Sequence, residues 1–310
     1  MRLIESKAEY IPQEEGLEGI YKQIELAGRT AYHSQDKITP DSAKDFVDRM
    51  IKSKHGAALE HGTVYLAIPI TEWFSYEDYS YGYLFNPYSK VNDTLVDWKR
   101  WEGIVYTTTN YRVLIENSWP DDLQYLCSPT EFHEKRYTMR FTCSRAIAQE
   151  LTRHRVFSFL MESQRYINYS KERHGGEIIF IKPSWSNSIE VGDYFIKHDY
   201  KKGTYSANFG YVGYPQDYLT SLCEAENAYF EMLNKNCTPQ QARDVLPNAT
   251  KTELIMTGFS SDWKHVMDLR LFGKTGAPHP DMKDLMQKAQ KAMQEVGIWE
   301  DIMSKPSKFE

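Results

Sequence analysis

RHRVFSFLMESQRY, residues 153–166, sets three arginines, a histidine and a glutamate among Val156, Phe157, Phe159, Leu160 and Met161. Apolar side chains at that density belong in a core and draw neighbouring charges inward, where an unpaired charge costs far more than in water. The positive charge needs a partner, and carboxylates of the chain's own or an anionic ligand such as a phosphate would each serve. The residues just before it decide the local fold. RYTMRFTCS, 136–144, alternates Met139, Phe141 and Cys143 on one face and reads as a strand, and Ser144 is suited to cap a helix through SRAIAQELTRH. The basic stretch thus begins where a helix ends.

With 310 residues, 41% hydrophobic and 14% aromatic, the chain can bury one large core or two small ones. A formal net charge of −6 argues against holding nucleic acid by neutralising its backbone, so the basic stretch is a local site. Cys127, Cys143, Cys223 and Cys237 form no CxxC pair. That spacing indicates neither a zinc ribbon nor a disulfide scaffold and fits a reducing, cytoplasmic setting. The N-terminus lacks the apolar centre of a signal peptide, and no apolar run approaches the roughly 20 residues of a membrane span. Neither export nor membrane insertion is expected.

Outward from the centre, LEGIYKQIELAG (17–28) places Leu17, Ile20, Tyr21 and Ile24 on a helical stripe that Gly28 should stop. Thr39 and Pro40 open a second helix carrying Phe46, Val47, Met50 and Ile51, with Gly56 at its end. HGTVYLAIPI (61–70) reads as a strand. Two stretches rich in Tyr and Trp, 71–136 and 184–216, lack periodicity and read as insertions in a single domain; within the first, TTTNYRVLIENS suggests a strand or short helix. Helices resume at Asp217, Thr238 and Pro239 begin a short one that Pro247 stops, and KTELIMTGF (251–259) is a strand before the helix SSDWKHVMDLR (260–270). On that last helix Arg270 shares the stripe of Trp263, Val266 and Met267, so it is expected to meet an internal carboxylate or a ligand. Arg243 in QQARDVLP poses the same choice. Together Arg153, Arg155, Arg165, Arg243 and Arg270 could form an anion pocket, since guanidinium forks grip phosphate and carbonyl oxygens bidentately. His55 and His61 lack the spacing of a helical zinc site, GKTGAP (273–278) lacks the upstream glycine of a P-loop, and no GxGxxG is present.

Arg153-His154-Arg155, followed after seven residues by Ser163, resembles the RHRx7S signature of the flavin-dependent thymidylate synthases. HGAALEHG resembles that family's HxxxxEH segment, QQARDVLP its ARxxLP segment, and WKHVMDLR with GAPHPDM its C-terminal helix and loop. The resemblance implies an α+β fold and a homotetramer with active sites shared between subunits. It implies conversion of dUMP to dTMP, with methylenetetrahydrofolate as carbon donor and FAD, reduced by NADPH, as hydride source. Carried over by position, Glu150, Arg153, Met161, Glu162, Ser163, Gln164, Arg165, Arg243 and Arg270 would line the dUMP site, with Arg270 at the uracil ring as the catalytic group. His55, Arg153, His154, Arg155, Met161, Phe259, Ser261 and His265 would line the FAD site. The chain departs from the commoner pattern at Glu150, where Gln is usual, at Met161, where Glu or Gln is usual, and at Phe259 and Ser261, which replace an Asn and an Arg. No cysteine sits in the Pro-Cys-His setting of the unrelated thymidylate synthases, so no covalent nucleophile is expected. Transfer of a hydroxymethyl group by a relative, and nucleotide binding without catalysis, remain alternatives.

Overall fold

In a computed structural model of the chain, residues 1–73, 80–165, 167–171, 175–199, 201–209 and 213–309 are described. The aromatic segments 74–79, 200 and 210–212 lie outside them, as does Tyr166 of the basic stretch. Strands β1 (Arg2–Ile4) and β2 (Lys7–Ile11) precede helices α1 (Gly16–Ala31), α2 (Ser42–Lys52) and α3 (Gly56–Leu59) and strand β3 (Thr63–Pro69). There follow α4 (Ile70–Trp73), α5 (Ser80–Phe85), β4 (Lys90–Asn92), β5 (Ile104–Asn110) and α6 (Tyr111–Glu116). Strand β6 (Arg136–Ser144) and helix α7 (Arg145–Leu151) lead into the basic stretch, and strand β7 (Ser158–Met161) lies within it. Beyond it come β8 (Ile179–Ile181), β9 (Gly192–Asp193), β10 (Ile196–Asp199), β11 (Thr204–Ala207), α8 (Gly213–Asn234), α9 (Pro239–Ala242), β12 (Lys251–Phe259), α10 (Ser260–Arg270), α11 (Pro280–Glu295) and α12 (Trp299–Met303). Mainly antiparallel sheets with helices packed on their faces make this an α+β fold.

The site depends on one sheet, ordered β2-β6-β12-β7 and antiparallel throughout. Strands β6 and β12 pair along their full length, from Ser144 opposite Lys251 to Arg136 opposite Phe259. The alternation in RYTMRFTCS does what period two requires. Tyr137, Met139, Phe141 and Cys143, with Leu254 and Met256, join a core with Trp263, Val266 and Met267 of α10 and the apolar faces of α7, α11 and α12. On the other face Thr138 and Thr257 share a hydrogen bond of 2.8 Å, and α1 packs across β12 and β7. A second core joins α1, α2 and α3 to β3 and β5, and a third lies around β1, β8 and α8.

Ser144 caps α7 as expected, its hydroxyl accepting from the Ile147 N–H at 3.3 Å, and Thr238 and Gln241 form a reciprocal capping box at α9. Gly28 does not stop α1, which runs on to Ala31. A Cβ at this position would come within 2.4 Å of Cζ of Phe46, so the glycine permits a close crossing of α1 over α2. Gly56 opens α3 rather than closing α2, which ends at Lys52. Inside the stretch 71–136, β5 pairs with β3, and Val105, Tyr111, Val113 and Leu114 are buried in the second core. Helices α11 and α12 were not anticipated, although Met282, Leu285, Met286, Ala289 and Met293 carry the helical spacing plainly. Among the described residues no helix is long and apolar enough to cross a membrane.

Candidate active site

After α7 the chain turns through RHR, with the Phe157 N–H donating to the His154 carbonyl at 3.1 Å. Packing explains the turn. Phe157 is buried under Gly258, where a Cβ would sit 2.3 Å from its ring, while Val156 stays exposed. Strand β7 then pairs with β12, the Glu162 N–H reaches the Glu253 carbonyl at 2.8 Å, and the Ser163 N–H reaches the Ala31 carbonyl at 3.1 Å. The signature is thus strung between the sheet edge and the end of α1.

At one end of this run stands Arg270, the last residue of α10. Its Nε donates to Nε2 of His154 at 3.2 Å and its Nη1 to a Glu150 carboxylate oxygen at 3.3 Å; Nη2 has no partner among the described residues. Glu150, unusual at its position, is therefore partnered by an arginine. Because a guanidinium is always protonated, His154 accepts through an unprotonated Nε2 and carries its proton on Nδ1. Burial, then the charge of Arg270, then His265 and Lys308, hold the His154 pKa down at about 4. His265 lies edge-on to His154 with ring centres 6.3 Å apart, stacks on Phe309 at 5.3 Å, and has a buried Nδ1 without a partner among the described residues.

At the other end, Arg243 occupies the turn after α9 and has the exposed Asp244 4.0 Å away. The start of α7 is fastened beside it, the Arg145 N–H donating to the Thr250 carbonyl at 3.0 Å and the Ala146 N–H to Asn248 at 3.2 Å. The Arg145 guanidinium is half-buried, with Nη1 enclosed and without a partner among the described residues. Burial lowers its pKa most; Tyr169 opposes that, while the like charge of Arg243 adds to it. Gln164 is 7% exposed, bonds Tyr169 through its side chain, and has an Nε2 without a partner among the described residues. Enclosed donors without acceptors, on residues coupled to a second arginine, are what an anion site needs before its anion arrives. Arg145 escaped the sequence reading. Its signal was a cation at the first position of a helix, where the helix dipole disfavours one.

The remaining candidates divide. Arg153, Arg155, Arg165 and His55 are exposed, His55 accepting or donating at 3.3 Å with the Tyr32 hydroxyl. Met161 packs against the first core, and Glu162, 4% exposed, is held by Lys251 at 3.0 Å. Phe259 is 3% exposed, with Lys90 and Arg136 over its ring at 5.6 and 5.5 Å, so the face that could stack on a flavin is not presented by this chain. Ser261 is engaged by Glu134 through both its N–H and its hydroxyl. His61 is wholly buried against Thr257 at 2.8 Å, and burial, then Arg136, depresses its pKa to about 3. Among the described residues no cluster of His, Cys, Asp or Glu is arranged to hold a metal ion. Burial raises the thiols of Cys143, to about 12, and Cys223, to about 11, which keeps them protonated and poor nucleophiles. A cavity of about 270 Å³ lined by Tyr10, Gln13, Tyr65, Lys135 and Arg136 contains none of the signature arginines.

These features define a class: an α+β protein whose long central strand pair supports two neighbouring arginines, Arg145 and Arg243, at one end and a clamped arginine at the other. Residues 108–297, more than half of the chain, match the family described as thymidylate synthase complementing protein, and the chain belongs to that family. Flavin-dependent thymidylate synthase of Corynebacterium diphtheriae is 31% identical over 127 residues, which are 41% of this chain and 45% of that protein. The enzyme of the same name from Corynebacterium efficiens is 33% identical over 128 residues, 41% of this chain and 46% of that one. The similarity therefore spans less than half the length of these relatives. Among solved structures, the UMP/dUMP methylase PolB from Streptomyces cacaoi bound with 5-Br dUMP aligns with a TM-score of 0.42 and 14% identity, covering 98% of this chain and 97% of that one. Thymidylate Synthase X from Helicobacter pylori with FAD and dUMP aligns with a TM-score of 0.36 and 15% identity, over 97% and 99% of the two chains.

Proposed function

We propose that this chain is a flavin-dependent thymidylate synthase, converting dUMP to dTMP with methylenetetrahydrofolate as carbon donor and NADPH-reduced FAD as hydride source, without an enzyme nucleophile. The observation that carries the reading is Arg270, held by His154 and Glu150 with part of its fork unengaged. Carbon 5 of uracil is a weak nucleophile, and a fixed guanidinium that stabilises negative charge at N3 and the adjacent carbonyl makes it attack an electrophilic methylene. Ser163, Gln164, Arg165 and Arg243 hold the phosphate, and Arg145 joins them. Glu162 and Met161, being committed to Lys251 and to the core, shape the site without touching the nucleotide.

The residues suit FAD on one side only. His265, whose Nδ1 has no partner among the described residues, and His154, Arg153 and Arg155 offer it polar and cationic partners, whereas Phe259 and Ser261 are engaged inside the chain. Bound and reduced, FAD would supply the hydride. Exposure of His55, Arg153 and Arg155 supports a site completed by other subunits of a homotetramer, and four free cysteines support a cytoplasmic setting. The visible spectrum of the purified protein, before and after anaerobic NADPH, tests the flavin assignment, and the product mass separates a methyl from a hydroxymethyl group. The engagement of Phe259 and Ser261 favours one second reading, a nucleotide-binding protein without flavin chemistry. A colourless protein that binds dUMP and yields no dTMP would establish it.

A further inference from the structure

We infer that His154 is a positioning residue: its unprotonated Nε2 and the Glu150 carboxylate clamp the Arg270 guanidinium at two nitrogens, fixing the plane in which the remaining N–H groups meet the pyrimidine edge. This rests on the dUMP reading above, and it gives the histidine of RHR a task distinct from contact with a cofactor.

An arginine held by one exposed carboxylate swings about that bond. Glu150 is 37% exposed, and a lone pair of this kind contributes little. A second acceptor on Nε removes the swing, because Nε and Nη1 donate in different directions within the guanidinium plane and cannot both stay bonded if the plane turns. His154 can serve in this way because it is itself immobile. It is 8% exposed, its N–H is tied to the Leu151 carbonyl at 3.0 Å, and its carbonyl accepts from Phe157. It also has to be neutral, since an imidazolium would present an N–H to an N–H. The groups that bear on it are Arg270, His265 and Lys308, each opposing a second positive charge, with Glu150 reaching it only through Arg270. A clamp of this design sets orientation at the base and leaves the phosphate end, at Arg145 and Arg243, untouched.

The test measures dissociation constants of dUMP, dCMP and inorganic phosphate by calorimetry on wild type, His154→Leu and His154→Gln. Wild type is expected to prefer dUMP to dCMP, because the fork donates to a uracil carbonyl and meets an amino group in cytosine. His154→Leu should lose about 10-fold of that preference while phosphate affinity stays within about twofold, and His154→Gln, which keeps an acceptor, should recover most of it. A folded His154→Leu protein with the preference intact overturns the inference, and so does a parallel loss of phosphate affinity, which would mark a general structural role. If wild type shows no preference for dUMP, the dUMP reading falls and the inference with it. Nitrogen NMR of the wild-type histidines near pH 6 needs no variant to fold: a proton on Nε2 of His154 overturns the clamp, and a proton on Nδ1 supports it.

Discussion

At the scale of single residues, Arg270 and Phe259 make opposite predictions. Replacing Arg270 by lysine keeps the charge but removes the fork that bonds His154 and Glu150 together. The Arg270→Lys protein should fold and lose about 100- to 1000-fold in dTMP formation, the usual effect of removing a preorganised electrostatic contact. Steady-state rates beside a melting curve check this, and near-normal turnover would remove Arg270 from the reaction. Phe259, in contrast, is a core ring between two cations. Phe259→Ala should cost about 3 to 5 kcal/mol of stability, measured by urea unfolding, and should not act selectively on FAD. The sequence could show that both side chains were out of the ordinary for their positions. It could not show which was enclosed, because burial at the end of a strand depends on Lys90 and Arg136, distant in the chain.

At the scale of elements, Gly28 separates local propensity from tertiary packing. Alanine is a better helix former than glycine by about 1 kcal/mol, so an isolated α1 would gain from Gly28→Ala. Inside the protein the added methyl meets the Phe46 ring, which Arg29 and Arg49 also contact. Overpacking of this sort costs about 1 to 3 kcal/mol, so a net loss of stability is expected, and a higher melting temperature for Gly28→Ala would contradict the crossing described for α1 and α2. The same contrast explains what the sequence revealed. Strands β6 and β12, the cap at Ser144 and the helix start at Thr238 and Pro239 were legible because each is written in neighbouring residues. Gly28 as a packing position, the tie of Glu162 to Lys251, and the part of residues 71–136 that builds the second core were not, since each depends on a partner far along the chain. Arg145 stood between these cases, visible as a cation at the wrong end of a helix but without meaning until Arg243 and Tyr169 were beside it.

At the scale of the molecule, the buried histidines set the response to acid. His154 and His61 have pKa values lowered from 6.5 to about 4 and about 3. Below pH 6.5 the unfolded chain binds protons that the folded chain refuses, so stability falls as pH drops, at about 1.4 kcal/mol per unit for each group, until each folded pKa is reached. His133 and His265 are shifted in the same direction. From pH 6.5 to 5 the protein should therefore lose about 2 to 4 kcal/mol, read from urea unfolding at a series of pH values. A stability that stays level over that interval would mean these imidazoles can reach water.

The pairing of β6 with β12 joins segments more than a hundred residues apart, and α7, RHR, β7 and Ser163 all lie in the loop that this pairing closes. The entropy of closing a loop of that length must be paid before the long-range pairing of β6 with β12 rewards it, which places the chain among the slower folders. Until the two strands meet, Arg145, Arg243 and Arg270 belong to separate parts of a disordered chain. The arginines become neighbours only where these distant segments are brought together, so a nucleotide has nothing to recognise in the unfolded chain and can act only on the folded one.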